Sequence, residues 1–105
     1  MDIKAILRAP LPEDGVAVNH LVERCTPLDP NSLYCNLLQC SHFASTSIAA
    51  FLQGELVGFI SGYCLPEKTN TLFIWQVAVD ESARGSGLAG KMIASLLERE
   101  SCKAI

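Results

Sequence analysis

Basic residues are few in this chain: eight Lys and Arg among 105 residues, with no run of them anywhere. Charged residues of both signs make up only 18%, and the net charge is −3 at pH 7. Phosphate neutralisation needs clustered Lys and Arg, so a nucleic-acid partner is not expected. Long apolar runs are also missing. No stretch approaches the roughly 20 apolar residues of a membrane-spanning helix, and the opening Met1-Asp2-Ile3-Lys4 starts no leader-like segment. No membrane partner is expected, and the cytoplasm is the expected location. There is no C-x-x-C pair among the five cysteines, Cys25, Cys35, Cys40, Cys64 and Cys102. Odd in number and irregularly spaced, they read as small apolar core residues of a reducing compartment. A zinc site built from Cys35, Cys40 and His42 would lack standard spacing and a fourth ligand, so no metal is expected. His20 and His42 read as helix-surface or packing residues. Repeats, low-complexity tracts and linkers are absent as well.

What is present is enough apolar material for one core. Half of the residues are hydrophobic, which suits a single domain over residues 1–105. Residues 3–7 read as a strand that ends at Pro10 and Pro12. Pro12-Glu13-Asp14 reads as a first helical turn, where proline is tolerated and acids face the positive helix end. Val16, Val18, Leu21 and Val22 carry that helix to about Cys25. Pro27 and Pro30 break it, and Asp29-Pro30-Asn31-Ser32 forms a turn able to cap a second helix over residues 33–43. Residues 48–52 are strand-like, Gln53-Gly54 is a hairpin turn, and residues 55–64 return. In that strand Gly58 and Gly62 share a face and leave room for a close approach. Residues 66–70 read as a polar loop. Residues 72–79 form the strongest strand. A helix begins near Gly87, with Leu88, Met92 and Leu96 on one apolar stripe. The order is β-α-α-β-β-β-α, an α/β (α+β) fold.

The link from the last strand to that helix carries chemistry. A helix N-terminus presents unpaired N–H groups and a partial positive charge, which attract phosphate. Glycines let the backbone come close to such a ligand. Three readings compete for residues 84–90. Gly85 and Gly87 could simply make a turn with Arg84 solvated. Gly85-x-Gly87-x-x-Gly90 fits the dinucleotide pattern literally. That pattern needs its first glycine at the strand end and an acidic residue about 20 positions on. Here a five-residue loop intervenes and the chain ends too soon. The third reading is the (Arg/Gln)-x-x-Gly-x-(Gly/Ala) turn of the GNAT N-acetyltransferases, which Arg84-x-x-Gly87-x-Ala89 fits, together with the preceding strand, acidic loop and following amphipathic helix.

The resemblance extends beyond this turn. PLDPNSLYCNLL at residues 27–38, CSHFA at 40–44, GELVGFISGY at 54–63 and TLFIWQVAV at 71–79 together resemble the diaminobutyrate acetyltransferase family of ectoine biosynthesis. That family transfers acetyl from acetyl-CoA to the 4-amino group of L-2,4-diaminobutanoate. The resemblance implies a mixed central sheet flanked by helices. It implies that the backbone of Val77, Ala78 and Val79 lines the pantetheine arm. The amides of Gly85, Ser86, Gly87, Leu88, Ala89 and Gly90, with Arg84, then hold the pyrophosphate. Asp29 and Tyr34 fall in the segment that such enzymes place over the acceptor, and Trp75 points from the central strand into that pocket. Those residue types suit a dicationic amino acid: a carboxylate for an ammonium, a phenol donor, and a cation–π face. Asp29 serves equally well as a helix cap, and Tyr34 and Trp75 as core aromatics. No carboxylate on residues 72–79 offers a general base, and Glu67 is the nearest alternative.

The resemblance also implies a further parallel strand and a closing helix after the pyrophosphate helix, and the 105 residues stop short of them. The chain is therefore expected to be a domain truncated at that point. Its residues 72–79 would be left as an exposed apolar edge that favours self-association, including a homodimer.

Overall fold

The computed structural model describes residues 5–25 and 32–99. Strand β1 (Ile6–Arg8) leads through a short 3-10 helix (Pro12–Asp14) into α1 (Gly15–Arg24). Then come α2 (Leu33–Ser41), a second 3-10 helix (Ala44–Thr46), β2 (Ile48–Leu52), β3 (Glu55–Leu65) and β4 (Lys68–Val79). A third 3-10 helix (Glu81–Ala83) precedes α3 (Leu88–Glu98). The four strands form one sheet in the order β1-β2-β3-β4. All three pairings are antiparallel, so the mixed sheet expected from the sequence is not what the described residues form. The reason is topological. Two helices separate β1 from β2, and the chain turns back on itself three times, into α1, into α2 and into β2, so β2 runs opposite to β1. The remaining links are hairpins.

Each face of the sheet buries its own cluster. Val18, Leu21 and Val22 of α1 pack with Ala49, Phe59 and Ala78 on one face. Leu88, Met92 and Leu96 of α3 pack with Ile48, Ala50 and Ile60 on the other. Alternation along β2 and β3 sends neighbouring residues to opposite clusters, which is how one sheet serves two helical layers. The turn at Gln53-Gly54 has φ of 52° and 82° at its two residues, the paired left-handed conformation that matches strand twist in a two-residue hairpin.

Several expectations need correction. The polar loop over residues 66–70 shrinks to Pro66-Glu67, because β4 already begins at Lys68. The room beside Gly58 and Gly62 is filled by the chain itself. A Cβ at Gly58 would meet Met92 Sδ at 2.9 Å, and one at Gly62 would meet the Thr46 carbonyl oxygen at 2.7 Å. Cys25 and Cys40 are buried as expected. Cys64 departs from the reading of all five cysteines as core thiols, being half-buried and disulfide-bonded. The cap of α2 is Ser32, whose Oγ accepts from Cys35 N–H at 3.0 Å.

A polar network ties α2 to the sheet. Gln39 is buried and its Nε2 donates to Ser47 Oγ (2.7 Å) and to the Gly62 carbonyl (2.8 Å). Thr46 Oγ1 donates to the same carbonyl at 2.7 Å. Buried polar groups that find partners in this way pin one register, since leaving any of them unpaired costs on the order of 1–3 kcal/mol.

Candidate functional site

The site grows from the end of β4. Asp80 N–H donates to the Val57 carbonyl at 2.7 Å, so residue 80 faces β3. By antiparallel alternation Val79 and Val77 turn their main-chain groups the other way, to the outer edge of β4. No other strand lies on that edge among the described residues. The Val79 carbonyl there accepts from Arg84 Nε (3.0 Å) and from Cys25 Sγ (3.4 Å). Val77 keeps its outward N–H and C=O for something else: among the described residues they have no main-chain partner.

Past β4 the backbone is folded into a cradle. Asp80 caps the 3-10 helix Glu81–Ala83 by accepting from Ser82 N–H at 3.1 Å. Ser86 Oγ then donates back to the Ala83 carbonyl at 2.6 Å. Gly85 and Gly87 both have φ of 80°, a left-handed conformation that costs a residue with a Cβ about 1–2 kcal/mol. Gly87 is the N-cap of α3, and the first bond of the helix runs from Lys91 N–H to the Gly87 carbonyl at 3.1 Å. Among the described residues, none of the six N–H groups of residues 85–90 donates to another protein atom. Four of these residues, Gly85, Gly87, Leu88 and Ala89, line a cavity of about 170 Å³ together with Val79, Ala83 and Arg84. Six unpaired donors at the positive end of an eleven-residue helix fit a doubly charged diphosphate. Arg84 is exposed. With its Nε bound to Val79, its two terminal nitrogens are left at the mouth.

Gly90 bears on the dinucleotide alternative. The third glycine of that pattern exists so that helix and strand can pack closely. Here a Cβ on Gly90 would meet nothing within 4 Å, so that requirement is not met.

The acceptor candidates are arranged more loosely. Trp75 is the unpaired residue of a β-bulge: Ser61 pairs with Gln76 and Gly62 with Ile74. It is part-exposed and belongs to neither core cluster. Tyr34 lies on the first turn of α2 and is 70% exposed, so it is not a core aromatic. The same helix anchors at Gly62 through Gln39, which sets α2 beside the bulge. Asp29 lies outside the described residues. Glu67 sits in the tip of the β3–β4 hairpin. From residue 67 to residue 75 the strand runs roughly 25 Å at about 3.3 Å per residue, too far to act at the bulge.

Sequence reasoning passed over one feature of the site. Arg24, the last residue of α1, donates from Nε to Asp80 Oδ1 at 2.6 Å and from Nη2 to the Leu56 carbonyl at 3.2 Å. Asp80 Oδ2 takes Ser82 N–H and Oγ. The Arg24 guanidinium, with Ser82, holds the Asp80 carboxyl down at about 2, below its ordinary 3.8. The Asp-x-Ser spacing at a strand end could have announced the cap. Nothing local announces a partner 56 residues away.

Comparison with known proteins agrees on the kind of molecule. The sequence pattern of the acetyltransferase (GNAT) family matches residues 15–103. The chain is 56% identical over 93 residues to L-2,4-diaminobutyric acid acetyltransferase of Methylotuvimicrobium alcaliphilum, covering 89% of this chain and 54% of that protein. It is 55% identical over 95 residues to the protein of the same name from Vibrio cholerae, covering 90% and 55%. Among solved structures it superposes with a TM-score of 0.91 on a diaminobutyrate acetyltransferase from Paenibacillus lautus in complex with L-2,4-diaminobutyric acid and coenzyme A. The identity there is 38%, over 95% of this chain and 60% of that one. The chain thus spans little more than half the length of the curated relatives it matches.

Proposed function

The chain belongs to the acetyltransferase (GNAT) family. From that premise we propose that it carries the coenzyme-A-binding half of an N-acetyltransferase that moves acetyl from acetyl-CoA to the 4-amino group of L-2,4-diaminobutanoate. The observation that carries this reading is the run of amides over residues 85–90 without main-chain partners, four of whose residues line a cavity beside an open strand edge. The acceptor is drawn from the names of relatives at 55–56% identity.

Acetyl-CoA supplies the acyl group as an activated thioester. The six amides and Arg84 hold its pyrophosphate. The outward C=O of Val77 and the N–H of Val79 pair with the extended pantetheine arm as an added strand would, which leaves the Val77 N–H free. This leads the thioester along β4 toward the bulge at Trp75. A backbone N–H on that edge, that of Val77, is then the donor to the oxyanion that forms when the amine attacks. The amine has a pKa near ~10 in water and arrives charged. It must lose a proton to a base or a water chain before attack. Trp75 offers a cation–π face while it is still charged, Asp29 a counter-charge, and Tyr34 a donor to the carboxylate. The cytoplasm is the proposed setting, and a homodimer the proposed assembly.

Incubation with acetyl-CoA and L-2,4-diaminobutanoate, followed by free-thiol titration, tests the reaction. Calorimetric titration of CoA tests the binding half. Arg84→Ala is expected to weaken CoA several-fold. Equal affinity of wild type and variant removes Arg84 from the site, and thiol release that is indifferent to the amine removes the acceptor.

A further inference from the structure

Outside the ligand cradle, one ion pair ties distant parts of the chain together. Arg24 and Asp80 lie 56 residues apart in sequence, and neither lines the cavity at residues 85–90. Yet Asp80 is the point from which the cradle hangs. One carboxylate oxygen takes the Arg24 Nε at 2.6 Å. The other takes both donors of Ser82, with the N–H at 3.1 Å. Its own N–H reaches Val57 at 2.7 Å, and its carbonyl takes the Ala83 N–H at 2.9 Å. Through Nη2, Arg24 is tied to the Leu56 carbonyl at 3.2 Å. One ion pair therefore joins α1, β3, the end of β4 and the 3-10 helix that aims Gly85 and Gly87.

We infer that Arg24 and Asp80 are positioning residues for the pyrophosphate of CoA, acting through the pose of residues 85–90 without touching the ligand. The inference rests on the proposed CoA-binding role. Its physical basis is pre-organisation. A row of amides binds an anion well only when it is already aimed, because any order it lacks must be made up out of binding energy. The pair lies near the surface, where an ion pair adds only modestly to a fold. Its two-pronged geometry and its place one residue before the cradle's own 3-10 helix argue for an aiming purpose. The Arg84 bond to Val79 and the Ser86 bond to Ala83 hold the inner side of the cradle. Asp80 holds the outer side.

The test uses the 105-residue protein, with CoA and inorganic pyrophosphate as probes. Asp80→Ala removes both carboxylate prongs, to Arg24 and to Ser82, and keeps the two main-chain bonds. Arg24→Met removes the pair and the bond to the Leu56 carbonyl, at a half-exposed side chain outside both buried clusters. Calorimetry gives the affinity for CoA, and amide NMR shifts of residues 85–90 give that for pyrophosphate. Both variants are expected to lose about fivefold or more for both probes, as the loss of a good cap would imply. The amide signals of Phe59 and Ile60 in the core are expected to stay in place. Loss for CoA without loss for pyrophosphate overturns the inference, and so does unchanged affinity in both variants. So does a general shift of the core signals in Arg24→Met that accounts for the weakening. Wild-type protein that takes up neither probe overturns the proposed function itself.

Discussion

At Gly87 the chain makes its sharpest local demand. With φ of 80° and ψ of 11° it must be left-handed for the helix to start facing the cavity. A Cβ there would meet nothing within 4 Å, so the cost of a side chain is purely conformational, about 1–2 kcal/mol. Gly87→Ala is therefore expected to weaken CoA by up to about tenfold, or to lower the melting temperature by a few degrees. Gly87→Asn is expected to lose less, since asparagine visits this conformation more readily. Calorimetric titration and thermal melts of the two variants check the order; alanine equal to or better than asparagine would contradict it. Asp80 makes a different demand, through its charge. Its carboxyl is depressed in the fold to about 2, chiefly by Arg24 and then by Ser82. A group with a lowered folded pKa contributes stability that is complete above its unfolded value, near 4. That contribution drains away as the pH falls through about 2. Urea unfolding from pH 4 down to pH 2 should show wild type losing its advantage over Asp80→Asn across that window. Parallel curves would mean that the pair contributes nothing to the fold.

At the level of elements, the two glycines of β3 separate a rigid neighbour from a soft one. A methyl at Gly62 would lie 2.7 Å from the Thr46 carbonyl oxygen and 3.1 Å from that of Phe73, both backbone. At Gly58 the obstacle is the flexible end of Met92. Gly62→Ala is expected to cost about 2 kcal/mol or more, with Gly58→Ala below about 1. Equilibrium denaturation of the pair measures both; similar losses would show that Met92 cannot move aside. This contrast also shows where the sequence was legible. Strand β2 and the apolar stripe of α3 were plain, because alternation and helical spacing record which side chains meet the core. So was the glycine-rich cradle, because only glycine takes its conformation without strain. The start of β4 was not, because its first residues extend beyond the core and need not be apolar to pair. The bulge at Trp75 carries no glycine or proline to mark it. The bond between Arg24 and Asp80 depends on where α1 ends relative to β4, which only the assembled fold decides.

For the whole molecule, the outer edge of the sheet sets the behaviour to expect in solution. β4 is twelve residues long and ends the sheet among the described residues. Natural edges are usually short, charged or covered, since open N–H and C=O groups pair with whatever strand arrives. This one instead carries Phe73, 45% exposed, in ring contact with Tyr63 at 5.4 Å, and Tyr63 in turn meets Phe43 at 6.4 Å. An open ladder beside an exposed aromatic row has both requirements for association: directional backbone pairing and apolar area to remove from water. Sedimentation of the 105-residue protein should therefore give a mass that rises with concentration. Phe73→Lys places a charge on the edge and removes the exposed ring, and it should shift the distribution toward monomer while leaving the buried clusters intact. A wild-type protein that sediments as a monomer at every concentration, with a single cooperative melt, would mean that the open backbone of β4 is satisfied by water alone. The edge would then serve only as the track along which the pantetheine arm is laid.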